Sequence, residues 1–226
     1  MKLAALFSGG KDSTFAIYQA KKEGHDVVCA VTIFPLSDES KFLHYPNLSM
    51  TILQVQSMKL PQFSSYAISD DPQIELSELE FLLEQAKHAF GIEGIIHGGI
   101  LSEFQKNHFE NVCNKLNLKI ISPLWNIDQK QYMKKLIESG FKFIITSVSS
   151  DGLDDSWLGR EITTTDVDAL EKLSIKHGFN LSFEGGEAES LVLSCPLFAS
   201  PLKIIQSNKT WDGYRGRFEI TEAILQ

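Results

Sequence analysis

Apolar runs alternate with amphipathic stretches along most of the chain. Residues 3–7 and 27–34 form nearly continuous apolar runs, which are typical of strands covered on both faces. Between them, residues 14–22 have the spacing of a helix that stops at Gly24. A strand, a helix and a second strand in succession indicate a βαβ unit, so the pattern favours a parallel sheet.

The same alternation continues beyond this first unit. In residues 104–116 the apolar positions share helical spacing, which predicts a helix with one buried face. Gly91 and Thr165 are expected helix boundaries, the first as a C-terminal stop and the second as an N-cap. The further predicted helices cover residues 74–90, 104–116, 129–139 and 166–177, and the further predicted strands cover 95–99, 119–122 and 141–148.

The chain changes character towards its C-terminal end, where strand-like pieces follow one another closely from about residue 180. We therefore expect an α/β fold whose parallel sheet has helices on both faces, plus a smaller C-terminal α+β lobe. The predicted boundary at Pro123 gives one unit over residues 1–123 and a second over 124–226. The strand-like pieces of the second unit are residues 191–193, 202–206 and 217–220.

A glycine-containing turn, SGGKDS, lies between the first predicted strand and the first predicted helix. A helix N-terminus presents unpaired N–H groups and the positive end of a dipole, so it suits a phosphate. The two glycines let the backbone approach an anion, the lysine adds a positive charge, and the serines offer hydroxyl groups. The predicted anion-binding residues are Ser8, Gly9, Gly10, Lys11, Asp12 and Ser13.

The spacing of this turn excludes two common nucleotide-binding motifs. A Walker A loop requires Ser or Thr after its lysine, whereas Asp12 follows Lys11 here. A dinucleotide-binding fingerprint requires G-x-G-x-x-G, which the turn lacks. A second pair of glycines, Gly98 and Gly99, ends another predicted strand at the same edge of the sheet, so we expect both glycines to let the backbone approach the same ligand.

The string SGGKDS in its strand–turn–helix setting resembles the pyrophosphate-binding loop of the N-type ATP pyrophosphatases, which have a Rossmann-like fold. Longer strings, including SKFLHYPN, SPLWNIDQ, GLDDSWLGREI and EGGEAESLVLSCPLF, are similar to the diphthine–ammonia ligase family. The resemblance implies an enzyme that uses ATP, Mg²⁺ and ammonium to amidate diphthine on translation elongation factor 2. The route it implies is an acyl-adenylate, with AMP and pyrophosphate as products.

The resemblance also implies roles for individual residues. Lys11, Asp12 and Glu187 are the expected catalytic residues, whereas the ligands of Mg²⁺ stay unassigned. Trp157 and Trp125 could supply aromatic faces for the quaternary ammonium of diphthine or could simply belong to the core. The substrate-binding residues that the resemblance implies are His44, Asn47, Ser102, Trp157, Glu187, Glu189 and Ser190.

Some positions depart from the family pattern. The family usually has an aromatic residue at the position of Ala188, an acidic residue at Ser194, an arginine near His108 and a tyrosine at Lys41. Ala188 removes a wall of a cation pocket, and His108 replaces a fixed positive charge. These departures leave the identity of the substrate open.

Composition narrows the remaining alternatives. The chain has 226 residues and a formal net charge of −8, without a run of Lys or Arg, which argues against nucleic acid as the main partner. No apolar stretch is long enough to span a membrane, and the three cysteines are far apart, so we expect a cytoplasmic protein with reduced core thiols. A tRNA-modifying enzyme and a nucleotide sensor that has lost catalysis stay as alternatives, and the oligomeric state, a homodimer included, stays open.

Overall fold

The computed structural model describes residues 1–35, 47–69 and 71–226 of the chain. Its first sheet contains five parallel strands: β1 (Lys2–Leu6), β2 (Asp26–Phe34), β3 (Gln62–Tyr66), β4 (Gly94–Ile96) and β5 (Lys119–Ile121). The spatial order of these strands is β3-β2-β1-β4-β5. From β1 the chain adds β2 and β3 on one side, and then crosses over to add β4 and β5 on the other side of β1. This reversal creates a crevice beyond the carboxyl ends of β1 and β4, where open α/β sheets bind ligands.

The second sheet is antiparallel and lies in the C-terminal half of the chain. Its strands are β6 (Lys142–Val148), β7 (Ala188–Ser194), β8 (Leu202–Trp211) and β9 (Gly216–Leu225), in the order β7-β6-β9-β8. The helices are α1 (Lys11–Lys22), α2 (Thr51–Met58), α3 (Pro72–Phe90), α4 (Glu103–Lys115), α5 (Gln129–Glu138) and α6 (Thr164–His177). Two short 3-10 helices cover Leu48–Met50 and Asp155–Trp157.

Two large hydrophobic clusters cover the two faces of the parallel sheet. One contains Leu83 and Ile95, beneath α3 and α4. The other contains Phe15 of α1 together with Tyr132 and Phe143 from the C-terminal half. The predicted α/β fold, with helices on both faces and a further α+β lobe, is confirmed. The second cluster draws residues from both sides of the predicted boundary at residues 123 and 124, so the antiparallel lobe packs directly against α1.

The sequence pattern predicted the long elements but overlooked α2 and β3. β3 is an edge strand with alternating exposure, so it lacks the apolar run that marks the central strands. The prediction of Thr165 as the N-cap of α6 is wrong. Thr163 caps this helix, because its hydroxyl accepts from the backbone N–H of Asp166 while the Asp166 carboxylate accepts from the N–H of Thr163.

All three cysteines, Cys29, Cys113 and Cys195, are buried free thiols, which confirms the prediction of core thiols. Burial raises the pKa of each thiol to about 12, so the thiolate form is disfavoured. Among the residues that the structure describes, no helix combines the length and the apolar character needed to cross a bilayer.

Candidate nucleotide-binding site

The glycine turn lies at the crevice that the topology creates. β1 ends at Leu6, α1 begins at Lys11, and Gly9 between them has a φ of +78°, a left-handed conformation that favours glycine. Several backbone N–H groups at this end of α1 have no acceptor within the described part of the chain, which is the arrangement that binds an anion. These donors belong to Gly9, Gly10, Asp12 and Ser13.

The turn is fixed in place by β7 of the antiparallel sheet. The N–H of Lys11 donates to the Ser190 hydroxyl at 3.2 Å. The carbonyl of Gly9 accepts from the N–H of Val192 at 3.0 Å and from the side-chain amide of Gln54 at 2.9 Å. Gln54 is fully buried on α2. The predicted anion-binding residues and the predicted substrate residue Ser190 are therefore neighbours.

The side chain of Lys11 is buried, with 2% of its surface exposed. Its ammonium donates to the Asp12 carboxylate at 2.9 Å and to the carbonyl of Ser182 at 2.6 Å. The same ammonium lies 5.4 Å from the centre of the Phe183 ring. Lys11 therefore connects the turn to the loop before β7, and a direct contact between its charge and pyrophosphate stays a prediction.

Asp12 is held from two directions. Its Oδ2 accepts from Lys11, and its Oδ1 accepts from the phenol of Tyr132 at 2.6 Å. Tyr132 is fully buried on α5. Burial, followed by the charge and hydrogen bond of Asp12 and the charge of Glu184, raises the pKa of the Tyr132 phenol well above its ordinary value. The phenol therefore stays protonated and remains a donor to Asp12.

Gly98 follows β4 and packs against the backbone of the turn. A Cβ at this position would come within 2.6 Å of the carbonyl carbon of Asp12 and of the nitrogen of Ser13. Such a distance is far below a normal contact, so only glycine allows the two segments to approach this closely. The structure thus brings together the two glycine segments that the sequence predicted to share a nucleotide.

His97 stabilises the turn that contains Gly98 and Gly99. Its Nδ1 accepts from the N–H of Gly99 at 3.1 Å, and its Nε2 lies 2.6 Å from the Ser122 hydroxyl. We therefore assign the proton of the neutral ring to Nε2. Burial, with a smaller contribution from the Lys106 charge, lowers the pKa of His97 to about 4.

The acidic string FEGGEAES contributes several residues to the lining of the cavity. One oxygen of Glu184 accepts from the consecutive N–H groups of Ile100, Leu101 and Ser102, at 2.8, 3.1 and 3.3 Å. The Ser102 hydroxyl caps α4 by accepting from the N–H of Gln105. Glu184 therefore joins the loop before β7 to the start of α4.

Glu187 is engaged within its own loop. One of its oxygens accepts from the backbone and side-chain amides of Asn180, both at 2.8 Å, and the other accepts from the N–H of Gly185 at 2.8 Å. Glu189 and Ser190, by contrast, line the cavity beside the glycine turn. A catalytic role for Glu187 stays a prediction, and the contacts of its carboxylate suit a residue that shapes this loop.

The cavity has a polar end and an apolar end. The polar end contains the predicted anion-binding turn together with Gly98 and Gly99. The apolar end suits a planar base, because it presents aliphatic and aromatic side chains. The residues at that end are Val31, Ile33, Leu76, Leu79 and Phe109, with the carboxyl group of Glu75 beside them.

Several predicted substrate residues lie away from this cavity. Asn47 is buried and bonds to the backbone of Phe218 and Ile220 on β9, at 2.8 and 2.6 Å. Trp157 belongs to the hydrophobic core and lies 5.0 Å from the guanidinium carbon of Arg160. His44 is outside the described residues, and so is Lys41, one of the positions that depart from the family pattern.

Of the other departures, Ala188 is buried and lines the cavity, whereas Ser194 lies at the far end of β7. His108 is exposed on α4, with its Nδ1 2.7 Å from the carbonyl oxygen of Phe104. The small side chain of Ala188 therefore widens the cavity, whereas Ser194 does not line it.

Sequence spacing does not identify the residues from other parts of the chain that support the turn. Four such residues contact the glycine segments or their neighbours, and none lies in a motif that spacing could identify. They are Gln54, His97, Tyr132 and Ser182. In the described ranges, no group of three or more His, Cys, Asp or Glu side chains is placed to hold a metal ion.

The family models and the curated relatives agree on one family. The description "Diphthamide synthase N-terminal domain" matches residues 1–120, and "Diphthamide synthase C-terminal domain" matches residues 128–225. The diphthine–ammonia ligase of Mus musculus is 34% identical over 92% of this chain and 84% of its own length. That of Homo sapiens is 32% identical with the same coverage of both chains, 92% and 84%. A solved structure, a predicted subunit of tRNA methyltransferase from Methanocaldococcus jannaschii, covers 87% of this chain and 98% of its own, with a TM-score of 0.43 and 13% identity.

Proposed function

The chain belongs to the diphthamide synthase family, and from that membership we propose that it is an ATP-dependent ligase which amidates the carboxylate of diphthine on translation elongation factor 2. Ammonium supplies the nitrogen, and the reaction releases AMP and pyrophosphate. The enzyme class follows from relatives named diphthine–ammonia ligase that align over about nine-tenths of the chain.

One observation carries the proposal: the same cavity contains unpaired backbone N–H groups of the glycine turn and a region lined by apolar side chains. Unpaired N–H groups at the start of α1 suit the phosphates of ATP, and the side chains around Val31 and Leu79 suit its base. A Cβ at Gly98 would come within 2.6 Å of the Asp12 backbone, so this glycine lets the segment after β4 approach the turn closely. The residues that line the cavity therefore fit a nucleoside triphosphate such as ATP.

Activation of the carboxylate precedes amide formation in the proposed mechanism. A diphthine carboxylate oxygen attacks the α-phosphorus, the bond from that phosphorus to the bridging oxygen breaks, and pyrophosphate leaves. Ammonia then attacks the acyl carbon, loses a proton, and displaces AMP. The amides of the glycine turn are placed to stabilise the charge that develops on the leaving pyrophosphate, with the hydroxyls of Ser8 and Ser13 beside them.

Asp12 is the residue best placed to hold Mg²⁺ alongside the phosphates. Proteins usually hold this ion through one or two carboxylates while the nucleotide and water complete its shell, so a three-residue cluster is not required. Asp12 lines the cavity with 28% of its side chain exposed, and each of its bonded oxygens retains a second lone pair. Bound there, Mg²⁺ would neutralise charge on the phosphates.

The C-terminal half supplies the substrate side of the cavity in this proposal. Glu189 and Ser190 face the space beside the turn and are placed to contact diphthine, and Phe183 offers an aromatic face. Glu187 shapes the loop that presents them. Residues 1–123 would then bind ATP and residues 124–226 would bind the substrate, although both halves line one cavity.

One assay tests the function directly. The protein is incubated with ATP, Mg²⁺, ammonium and elongation factor 2 carrying diphthine, and both AMP and the mass of the factor are followed. We expect AMP release that requires ammonium and the modified factor, together with the mass change of a carboxylate becoming an amide. AMP formation only with tRNA would instead support a tRNA-modifying enzyme, and ATP binding without turnover would support a sensor.

Matched variants assign that activity to the cavity. Asp12→Asn should reduce AMP release by about 100-fold, because it removes the carboxylate charge that would hold Mg²⁺ beside the phosphates. Asp26→Asn, at the exposed start of β2, should leave the activity within about twofold of wild type. Equal losses in both variants would argue against the proposed location of the chemistry.

A further inference from the structure

We propose that Tyr132 is a positioning residue for the ATP-binding turn and acts by orienting the Asp12 carboxylate. The inference rests on the proposed function, because it concerns the residue that faces the phosphates in that proposal. Tyr132 lies on α5, 120 positions from Asp12 in the sequence. Its phenol nevertheless donates to Asp12 Oδ1 at 2.6 Å, a short bond of the kind that charged acceptors form.

The two donors of Asp12 fix the plane of its carboxylate. Tyr132 donates to Oδ1 from one side, and the ammonium of Lys11 donates to Oδ2 at 2.9 Å from the other. Rotation of the carboxylate would break at least one of these bonds. The lone pairs that point into the cavity are therefore held in one direction before any ligand arrives, which is the preorganisation that catalysis requires.

The ring of Tyr132 is itself held in place by the helix that carries Asp12. Phe15, three residues further along α1, contacts it with the ring centres 5.6 Å apart and the planes at 57°. Tyr132 has no exposed surface and belongs to the cluster that joins α1 to the antiparallel lobe. The position of its hydroxyl is thus determined by packing and not by a flexible side chain.

Packing alone does not explain the hydroxyl. A buried phenol costs free energy unless it is hydrogen-bonded, and a phenylalanine would fill the same space without that cost. Asp12 is the one acceptor of this hydroxyl within the described ranges. Replacing the hydroxyl by hydrogen would therefore leave Asp12 Oδ1 without this donor.

Tyr132→Phe removes this donor and keeps the ring, and Tyr18→Phe is its matched control. Tyr18 contacts the same Phe15 ring at 5.6 Å but makes no hydrogen bond through its hydroxyl to the described residues. Removal of a group that orients a charged residue should lower kcat for AMP release by about 10- to 100-fold and weaken ATP binding by about three- to fivefold. Tyr18→Phe should change either quantity by less than about twofold.

A double-mutant cycle with Asp12→Asn separates positioning from general stability. If Tyr132 acts through Asp12, adding Tyr132→Phe to Asp12→Asn should change kcat and the dissociation constant of ATP by less than about twofold. A residue with only a structural role would instead show the full loss in both backgrounds, together with a matching decrease in Tm. That additive outcome would overturn the inference.

The two proposals can fail separately in this design. Absence of ammonium-dependent AMP release by the wild-type protein would contradict the proposed function. The coupling between Tyr132 and Asp12 would still be measured from ATP affinity by calorimetry on the same four proteins. Coupling present in that affinity would keep the inference, and additivity would reject it.

Discussion

The ammonium of Lys11 lies 2.6 Å from the backbone carbonyl oxygen of Ser182, a residue 171 positions further along the chain. This bond connects the first turn of α1 to the loop that precedes β7. Lys11, which its motif predicts to be a phosphate ligand, therefore also holds the loop that forms part of the cavity wall. Its charge is balanced locally by Asp12, with which it forms a partly buried ion pair.

Replacement of this lysine should affect stability and activity together. Lys11→Met keeps the length and apolar stem of the side chain but leaves the Ser182 carbonyl without this donor, while Asp12 retains the bond from Tyr132. We expect the free energy of unfolding to decrease by about 1–3 kcal/mol, the usual cost of an unsatisfied buried group. AMP release should fall with it. Chemical denaturation measures the first effect, and Lys21→Met on the exposed side of α1 is the control.

Local sequence was sufficient to predict the glycine turn, because a strand, two glycines and a helix N-terminus follow one another within a few residues. The strands of the parallel sheet other than β3 followed for the same reason, since they show contiguous apolar patterns. The contacts of Lys11 with Ser182, and of Tyr132 with Asp12, could not be predicted this way. They depend on how the antiparallel lobe packs on α1, and no periodicity encodes that arrangement.

The roles of the carboxylates in the acidic string FEGGEAES could not be predicted from the sequence either. Three carboxylates in FEGGEAES predicted a site, but their chemistry depends on which backbone amides each one contacts. Glu184 and Glu187 accept from amides of the protein itself, and of the three only Glu184 and Glu189 line the cavity. The sequence alone could not distinguish these positions, because their amide partners are determined by the loop conformation and by the start of α4.

Gly98→Ala should impair ATP binding more than it impairs folding. Its Cβ would come within 2.6 Å of the backbone of Asp12, so the glycine turn must shift. Gly94→Ala is the matched control, because its Cβ would come equally close, 2.6 Å, to the carbonyl oxygen of Lys119 in the sheet. We expect both variants to lose stability but only Gly98→Ala to lose ATP affinity in calorimetry, by about tenfold or more. Equal affinities would contradict the contact between the two glycine segments.

Glu187→Gln should destabilise its loop. A glutamine presents an NH₂ group where one carboxylate oxygen now accepts from a backbone or side-chain amide, so at least one donor loses its acceptor. We expect a decrease in the free energy of unfolding of about 1–3 kcal/mol. Glu219→Gln, on an exposed position of β9, should change it by less than about 0.5 kcal/mol. An unchanged free energy of unfolding in Glu187→Gln would contradict a structural role and favour the predicted contact of Glu187 with the substrate.

The cysteines should resist alkylation in the native protein. Burial raises the pKa of the Cys29, Cys113 and Cys195 thiols to about 12, so little thiolate is present at pH 8 and the reagent has no access. Mass spectrometry after treatment with iodoacetamide should show an unmodified chain, whereas denatured protein should gain three adducts. Rapid modification of any native thiol would show that its surroundings open.

His97 should make the fold less stable as the pH falls from about 6.5 to about 4. Its pKa in the folded protein is about 4 against an ordinary value of 6.5, because burial and, to a smaller extent, the Lys106 charge oppose protonation. In this window the unfolded chain binds a proton that the folded chain excludes, so acidification favours unfolding. The full contribution corresponds to about 3 kcal/mol, and it no longer grows below pH 4. His97→Gln keeps a side chain that both accepts and donates but does not titrate. The difference in unfolding free energy between the two proteins should therefore shift in favour of the variant as the pH falls from 7 to 4. A difference that does not depend on pH would mean that the His97 ring is protonated as easily in the folded protein as in the unfolded chain.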